Sequence, residues 1–397
     1  MENRVLYRKK EQCCGCEACV SVCPKHIIEM KKDEYGFLYP QIKNSLACIN
    51  CNRCSNVCPV ANLDKYEKTP FLNFYSGYLK DKDELVSCAS GGLATAIAKE
   101  MLSKGAVIYG VVYSKEWDGA EYKRVTSFKE LELLKTSKYI QAEKKEVYND
   151  VLQDLKLGRT VVFFGLPCEV AAVKNRCGQY DKKLYTVELI CHGPTSSNIQ
   201  IEYINYFKKK YGKSIKDFSV RYKKDGKWKP FYIHIVFEDN AEFFQNFHDS
   251  AFGTAFKYLK RPSCYSCKNK GDVLQGDLMI GDYHYVEKGM QSYNEHGVSS
   301  ALVHSEKGEE LMNQICDVFT VFNISKKGAM SNGSIIKPVA RPKYADRYIE
   351  VYKKKGIFAS HNIPIIRIRY NGKKYKQKIK EKLVRIKRKI IPLSKSM

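Results

Sequence analysis

The chain has 397 residues, of which 44% are hydrophobic, 12% aromatic and 28% charged, with 16 cysteines and a formal net charge of +25. That length suits two or three domains with cores of their own, and that apolar content excludes a wholly disordered chain. There is no apolar run of about 18 residues, and the N-terminal MENRVLYRKKEQCCGC lacks a signal-peptide core, so a cytoplasmic protein is expected. In that reducing compartment the cysteines are not expected to pair as structural disulfides, and their spacing decides their role.

Residues 1–65 hold the strongest pattern. Cys13, Cys16, Cys19 and Cys23 precede Pro24, and Cys48, Cys51, Cys54 and Cys58 precede Pro59, so each run reads C-x2-C-x2-C-x3-C-P. Three cysteines two residues apart wrap one face of a cubane, while the fourth reaches the other cluster. The expected rings are Cys13, Cys16, Cys19 and Cys58 for one 4Fe-4S cluster, and Cys48, Cys51, Cys54 and Cys23 for the second. Structural zinc sites would use separated C-x2-C pairs instead. HIIEM and FLYPQI, flanking KKDEYG, read as a hairpin beneath the clusters. Cys14 has no place in the pattern and reads as a small buried or ligand-supporting residue.

After the polar linker LDKYEKTP, residues 72–200 alternate strand and helix signals, which predicts α/β layers on a parallel or mixed sheet. FYSGYL and AVIYGVVY are strand-like, and GGLATAIAKEMLSKG and KEVYNDVLQDLK are helical. Ser90, Gly91 and Gly92 open the first helix and could meet a phosphate, although such a turn is more often only a helix start. No G-x-G-x-x-G or G-x4-G-K-[ST] occurs.

Cys168 follows the strand TVVFFG and begins a helix, and Cys191 ends the strand YTVELIC. Residues 201–340 continue with strands around DGKWKP and a helix over DSAFGTAFKYLK, then a loop carrying Cys264 and Cys267. Two strand-end cysteines and a C-x2-C loop can converge on a third 4Fe-4S cluster or a zinc ion, or stay independent thiols. Cys88, Cys177 and Cys316 have no assigned role. His192 could tune such a site or donate a proton, but reads more simply as a turn histidine. Asp282 and His284 are weaker proton-relay candidates.

The ordered motifs SCASGGLATAIA, GAVIYGVVY, LLKTSKYIQA, FFGLPCEVAAV, ICHGP and RPSCYSCKNKGDVLQGDLMIGDY, over residues 72 to about 320, resemble the coenzyme F420 hydrogenase and dehydrogenase beta-subunit family. The resemblance implies bound FAD with an additional 4Fe-4S cluster beside it, held by Cys168, Cys191, Cys264 and Cys267. It also implies flavin contacts from Ser90, Gly91, Gly92, Lys138, Tyr139 and Gln141. Leu166 and Glu169 depart from the Gly-Thr-Pro-Cys-Gln turn of many relatives, which puts identical coenzyme recognition in doubt. The fold expected is thus α+β and α/β: a ferredoxin-like two-cluster domain, then a mixed-sheet flavoprotein-type α/β domain.

Residues 341–397 form a basic tail. Residues 367–397 alone carry 13 Lys or Arg and one acid, Glu381, supplying +12 of the +25. Tyr375, Ile379, Leu383, Ile386 and Ile390 fall on one helical face, a pattern suited to an anionic membrane surface, an acidic partner or the chain's own domain. Nucleic acid is disfavoured, since no recognised nucleic-acid fold accompanies the charge. The expected activity is an iron–sulfur flavoprotein oxidoreductase, cytoplasmic or peripheral at the inner membrane face, exchanging electrons with a donor or acceptor protein. The other reading is a non-catalytic electron-transfer subunit of a larger redox or polysaccharide-biosynthesis system.

Overall fold

The computed structural model describes residues 6–66, 69–271 and 274–368. The expected helical face from Tyr375 to Ile390 lies outside them.

The first lobe is a hairpin of β1 (Ile28–Lys32) and β2 (Leu38–Ile42), antiparallel, with a cysteine loop on either side of it in the chain. Asp33 shapes its turn, its Oδ1 accepting the amides of Tyr35 and Phe37, both at 3.0 Å. The two cysteine loops share one backbone. Gly15 and Glu17 in the first, and Asn50 and Asn52 in the second, are left-handed, with φ of 68°, 65°, 53° and 59°. Each loop then enters a short helix, Ala18–Ser21 or Arg53–Asn56. Left-handed residues interleaved with right-handed ones turn successive N–H groups inward and make anion-binding concavities of the kind that cradle iron–sulfur centres.

The main sheet has eight strands: β3 (Asn73–Leu79), β4 (Val107–Tyr113), β5 (Ala120–Val125), β6 (Val161–Gly165), β7 (Leu184–Leu189), and, after an interval, β11 (Leu278–Asp282), β12 (Ser299–Val303) and β13 (Phe319–Asn323). Their spatial order is β13-β3-β12-β11-β7-β6-β4-β5. The four central strands, β11, β7, β6 and β4, are parallel to their neighbours within that group, and the outer pairings are antiparallel. A mixed sheet was expected, and it draws strands from both sides of residue 200.

Period-two alternation splits this sheet between two cores. Ile108, Val162 and Phe164 face Leu93, Ile97 and Met101 of the helix Leu93–Ser103. Val107, Tyr109, Val161 and Phe163 face the helices Val147–Lys156 and Pro167–Cys177. Between β7 and β11 the chain builds a three-stranded antiparallel sheet of β8 (Ile215–Tyr222), β9 (Tyr232–Phe237) and β10 (Glu242–Asn246). The helices Ser197–Tyr211, Ala251–Tyr258 and Ala345–His361 pack with it in a third core.

The cysteine lobe is built into these layers. Cys16, Ala18 and Val57 belong to the core under β4 and β6, and Phe37 and Tyr39 of the hairpin belong to the third core. No helix among the described residues is long and apolar enough to cross a membrane.

Candidate redox site

Cys13, Cys16, Cys19 and Cys58 come together as their spacing predicts. The Cys16 thiol lies within electrostatic reach of Cys19 and Cys58, and the Cys19 thiol within reach of Cys13, Cys58 and Cys54. Burial pushes the Cys13, Cys19 and Cys58 thiols up. Cys48, Cys51 and Cys54 occupy the equivalent loop at the outer end, where Cys51 is exposed. Leu46 and Ile49 beside it stand in solvent, 80% and 57% exposed.

The second set is assembled by the sheet. β6 and β7 are adjacent and parallel, so Cys168 and Cys191, just past their C-terminal ends, meet at one edge. Cys191 neighbours Cys168, Cys264 and Cys267, and Cys264 neighbours Cys267. Burial pushes the Cys264 thiol up to about 12. Gly193 makes the approach possible: its φ is +81°, and a Cβ there would lie 2.9 Å from Cys264 Cβ and 3.0 Å from its Sγ. Its amide donates to Cys191 Sγ at 3.2 Å. Lys260 donates to Gly193 O at 2.8 Å, and Lys270 to Cys191 O at 2.8 Å and Ser334 O at 2.6 Å, so two cations flank the thiols.

Among the described residues no three His, Cys, Asp or Glu side chains are arranged to hold a single metal ion. A cubane makes a different demand, four thiolates spread over separate irons. An all-thiol donor set, loops lined with N–H groups and flanking lysines fit it.

Cys14, which spacing left without a role, lies between the two sets in hydrogen-bonding contact with Cys16 and Cys168.

Against Cys191 lies a cavity of about 1070 Å³. It opens at the C-terminal ends of β6, β7 and β11, the edge where open α/β sheets bind ligands. Tyr139 stacks on Phe256, centroids 4.5 Å apart, and meets Phe247 edge-on. Beside them Arg221 grips Asp282 in a fork of 2.8 and 3.1 Å and also donates to Tyr139 Oη at 3.0 Å and Ala89 O at 2.7 Å. Burial opposes the Asp282 charge, but the guanidinium outweighs it and holds the carboxyl at about 2. His192 is kept neutral, burial lowering it to about 4, with Ser334 Oγ 2.7 Å from its Nδ1.

Of the residues singled out in the sequence, Ser90, Gly92, Lys138 and Tyr139 line the cavity, as do Cys191, His192, Asp282 and His284. Lys138 turns its ammonium to Leu133 O and Lys135 O, at 2.9 and 2.7 Å, and burial lowers its pKa to about 7. Gly91 and Gln141 are not among the lining residues. Gly91 packs on the sheet, where a Cβ would meet Gly77 O at 2.3 Å. Gln141 turns to the cysteine lobe, its amide donating to Gly15 O at 3.0 Å. Cys88 is buried on the cavity wall, 3.3 Å from Thr95 Oγ1; Cys177 is buried in the core and Cys316 is exposed.

The departure at Glu169 has a structural reason. Its carboxylate pairs with buried Lys144 at 2.8 Å, accepts from Tyr122 at 2.7 Å and caps its helix by accepting Leu166 N at 2.9 Å. Burial disfavours the Lys144 ammonium, but Glu169 and Glu17 more than offset it and keep its pKa above the usual lysine range. A glutamine at 169 would remove the carboxylate that pairs directly with that cation.

Two repeated thiol loops built into an α/β body define an iron–sulfur protein of the electron-transfer type. Residues 12–62 match the 4Fe-4S dicluster domain. Residues 74–147 and 158–326, together more than half of the chain, match the N-terminal and C-terminal domains of the coenzyme F420 hydrogenase/dehydrogenase beta subunit. The chain belongs to that family, as its motifs suggested, and has the redox character of its hydrogenase and dehydrogenase subunits. A chain of the F420-reducing NiFe hydrogenase complex from Methanosarcina barkeri, solved as a xenon derivative, is similar at 15% identity and a TM-score of 0.46, covering 74% of this chain and 90% of that one. No curated protein matches.

Proposed function

We propose that the protein is a flavin-dependent iron–sulfur oxidoreductase that moves electrons between its ferredoxin-type lobe and a two-electron substrate in the cavity. The observation that carries this reading is a run of neighbouring thiols: Cys16, Cys14 and Cys168 in hydrogen-bonding contact, Cys191 within electrostatic reach of Cys168, and Cys191 on the cavity wall. Bound 4Fe-4S clusters supply one-electron steps, and bound FAD supplies the exchange between those steps and two-electron chemistry. Cys13, Cys16, Cys19 and Cys58, then Cys48, Cys51, Cys54 and Cys23, would hold two clusters, and Cys168, Cys191, Cys264 and Cys267 a third.

The chain's own residues do the rest. Tyr139, Phe247 and Phe256 keep water from one wall of the cavity and offer flat faces to a ring system. Arg221, held by Asp282, keeps a fixed positive charge beside the Tyr139 hydroxyl. Lys138, at about 7, holds or releases a proton at Nζ near neutral pH. The exposed Cys51 end is where a donor or acceptor protein would dock, and the basic residues beyond 366 would serve an acidic partner or an anionic membrane face.

Iron and flavin quantitation on anaerobically purified protein tests the proposal. Three cubanes predict about 12 Fe per chain and two about 8, at four irons each. Cys264→Ala is expected to lower the count by about 4 and to leave the two N-terminal clusters in place. Iron near 8 that Cys264→Ala does not change removes the third cluster, and absence of extractable flavin leaves a plain electron relay.

A further inference from the structure

Arg261 is only 1% exposed and heads the largest wholly buried side chains of the described residues. It stands three residues before Cys264 yet turns toward the cysteine lobe. Its Nε donates to Cys13 O at 2.7 Å and its Nη2 to Leu38 O at 2.7 Å, while Nη1 donates to Gln141 Oε1 at 3.0 Å. Nη2 also lies 3.5 Å from Cys13 Sγ, and the guanidinium stacks over Tyr39, 3.9 Å from its ring centroid. Among the described residues no Asp or Glu pairs with Arg261. A buried guanidinium without a counter-charge costs several kcal/mol, so its position calls for an anion, and the thiolate set of Cys13, Cys16, Cys19 and Cys58 is beside it.

We infer that Arg261 is a positioning residue that raises the reduction potential at this inner ring and fixes the ring's loop against the body. The inference rests on the proposed occupancy of that ring by a 4Fe-4S cluster. One-electron reduction there takes up no proton, so the ring and its irons become more negative by one charge. A guanidinium at hydrogen-bonding distance from one ligand sulfur stabilises that added charge, and low-dielectric surroundings strengthen the effect. The inner ring would therefore draw electrons from the water-facing ring that contains Cys51. Gln141 completes the device by holding both Arg261 and the Gly15 carbonyl of the same loop.

The test is redox titration of the full-length holoprotein followed by electron paramagnetic resonance, with iron counted in every sample. Arg261→Gln is expected to shift the midpoint of one cluster to lower potential and leave the others in place. Arg261→Lys, which keeps the charge but loses the fork, is expected to shift the same midpoint by less. Full iron with unmoved midpoints in Arg261→Gln overturns the inference. Should Arg261→Gln fail to hold its iron, Arg261→Lys decides: full iron with every midpoint at its wild-type value overturns it equally. Cys16→Ala separates the underlying reading, because if that substitution costs no iron, the ring holds no cluster and the occupancy itself is wrong.

Discussion

Glu188 shows how one side chain can make this fold sensitive to pH. It lies on β7 with its Oε1 accepting the amides of Gly276 at 2.9 Å and Gln275 at 3.2 Å, closing the segment that leads into β11. Burial, only partly offset by those two amides, raises its pKa to about 7. The folded value is above the unfolded one, so the stabilisation is complete below the ordinary glutamate pKa and is lost as pH rises through 7. Glu188→Gln keeps the acceptor oxygen and removes the ionisation. It is expected to gain about 2 to 3 kcal/mol over the wild type at pH 8 and little at pH 5, read by urea unfolding at both pH values. An equal gain at the two pH values would mean that the carboxyl does not titrate in this range.

At the scale of elements, the link between the cysteine lobe and the helix Pro167–Cys177 runs through a buried ionic chain. Glu17 in the first cysteine loop, Lys144 after the strip carrying Tyr139 and Gln141, and Glu169 at the helix N-terminus share charge within the protein. Cutting such a chain on one side is far costlier than removing both partners, because the remaining charge stays buried. Glu169→Gln is expected to destabilise by about 3 to 5 kcal/mol, and Glu169→Gln with Lys144→Met to recover part of that loss, since Glu17 is then left without the ammonium. A double-mutant cycle by thermal or denaturant unfolding measures it, and simple additivity of the two changes would count against the pairing. Tyr148, whose hydroxyl donates to Cys16 O at 2.8 Å, adds a second tie of the same lobe to the same layer.

Across the whole molecule, what could be read in advance depended on how far apart in the chain the interacting residues lie. The eight ferredoxin cysteines were legible because the four cysteines of each run sit two or three residues from the next, and spacing of that kind survives any rearrangement elsewhere. Cys168 and Cys191 were legible through strand ends, since adjacent parallel strands finish on one edge. Arg261 was not, because its meaning comes from Cys13, 248 residues away. Cys14 could be read only as a small buried or ligand-supporting residue, because it belongs to no local spacing and its second neighbour comes with the Cys168 turn. Ser90 to Gly92 drew attention as a phosphate-type turn, and Gly91 turns out to answer the closeness of β3 and β12, with its amide donating to Ser299 Oγ at 3.0 Å.

The grading of the cysteines from an exposed Cys51 to a buried Cys16 also governs vulnerability to air. Dioxygen and peroxide arriving from solvent meet the outer ring first, and the inner thiols are shielded by the body into which their loop is packed. Timed exposure of the reduced holoprotein is expected to bleach about 4 Fe per chain in an early phase, with the remainder released more slowly. Cys51→Ala, which removes the ligand, should abolish that early phase, and iron counted against time checks it; single-phase loss of all the iron in the wild type would show that the interior gives no protection. On this account the water-facing ring would be at once the place where the proposed partner exchanges electrons and the part that fails first, so damage there would disconnect the protein from that partner while the inner thiols persist.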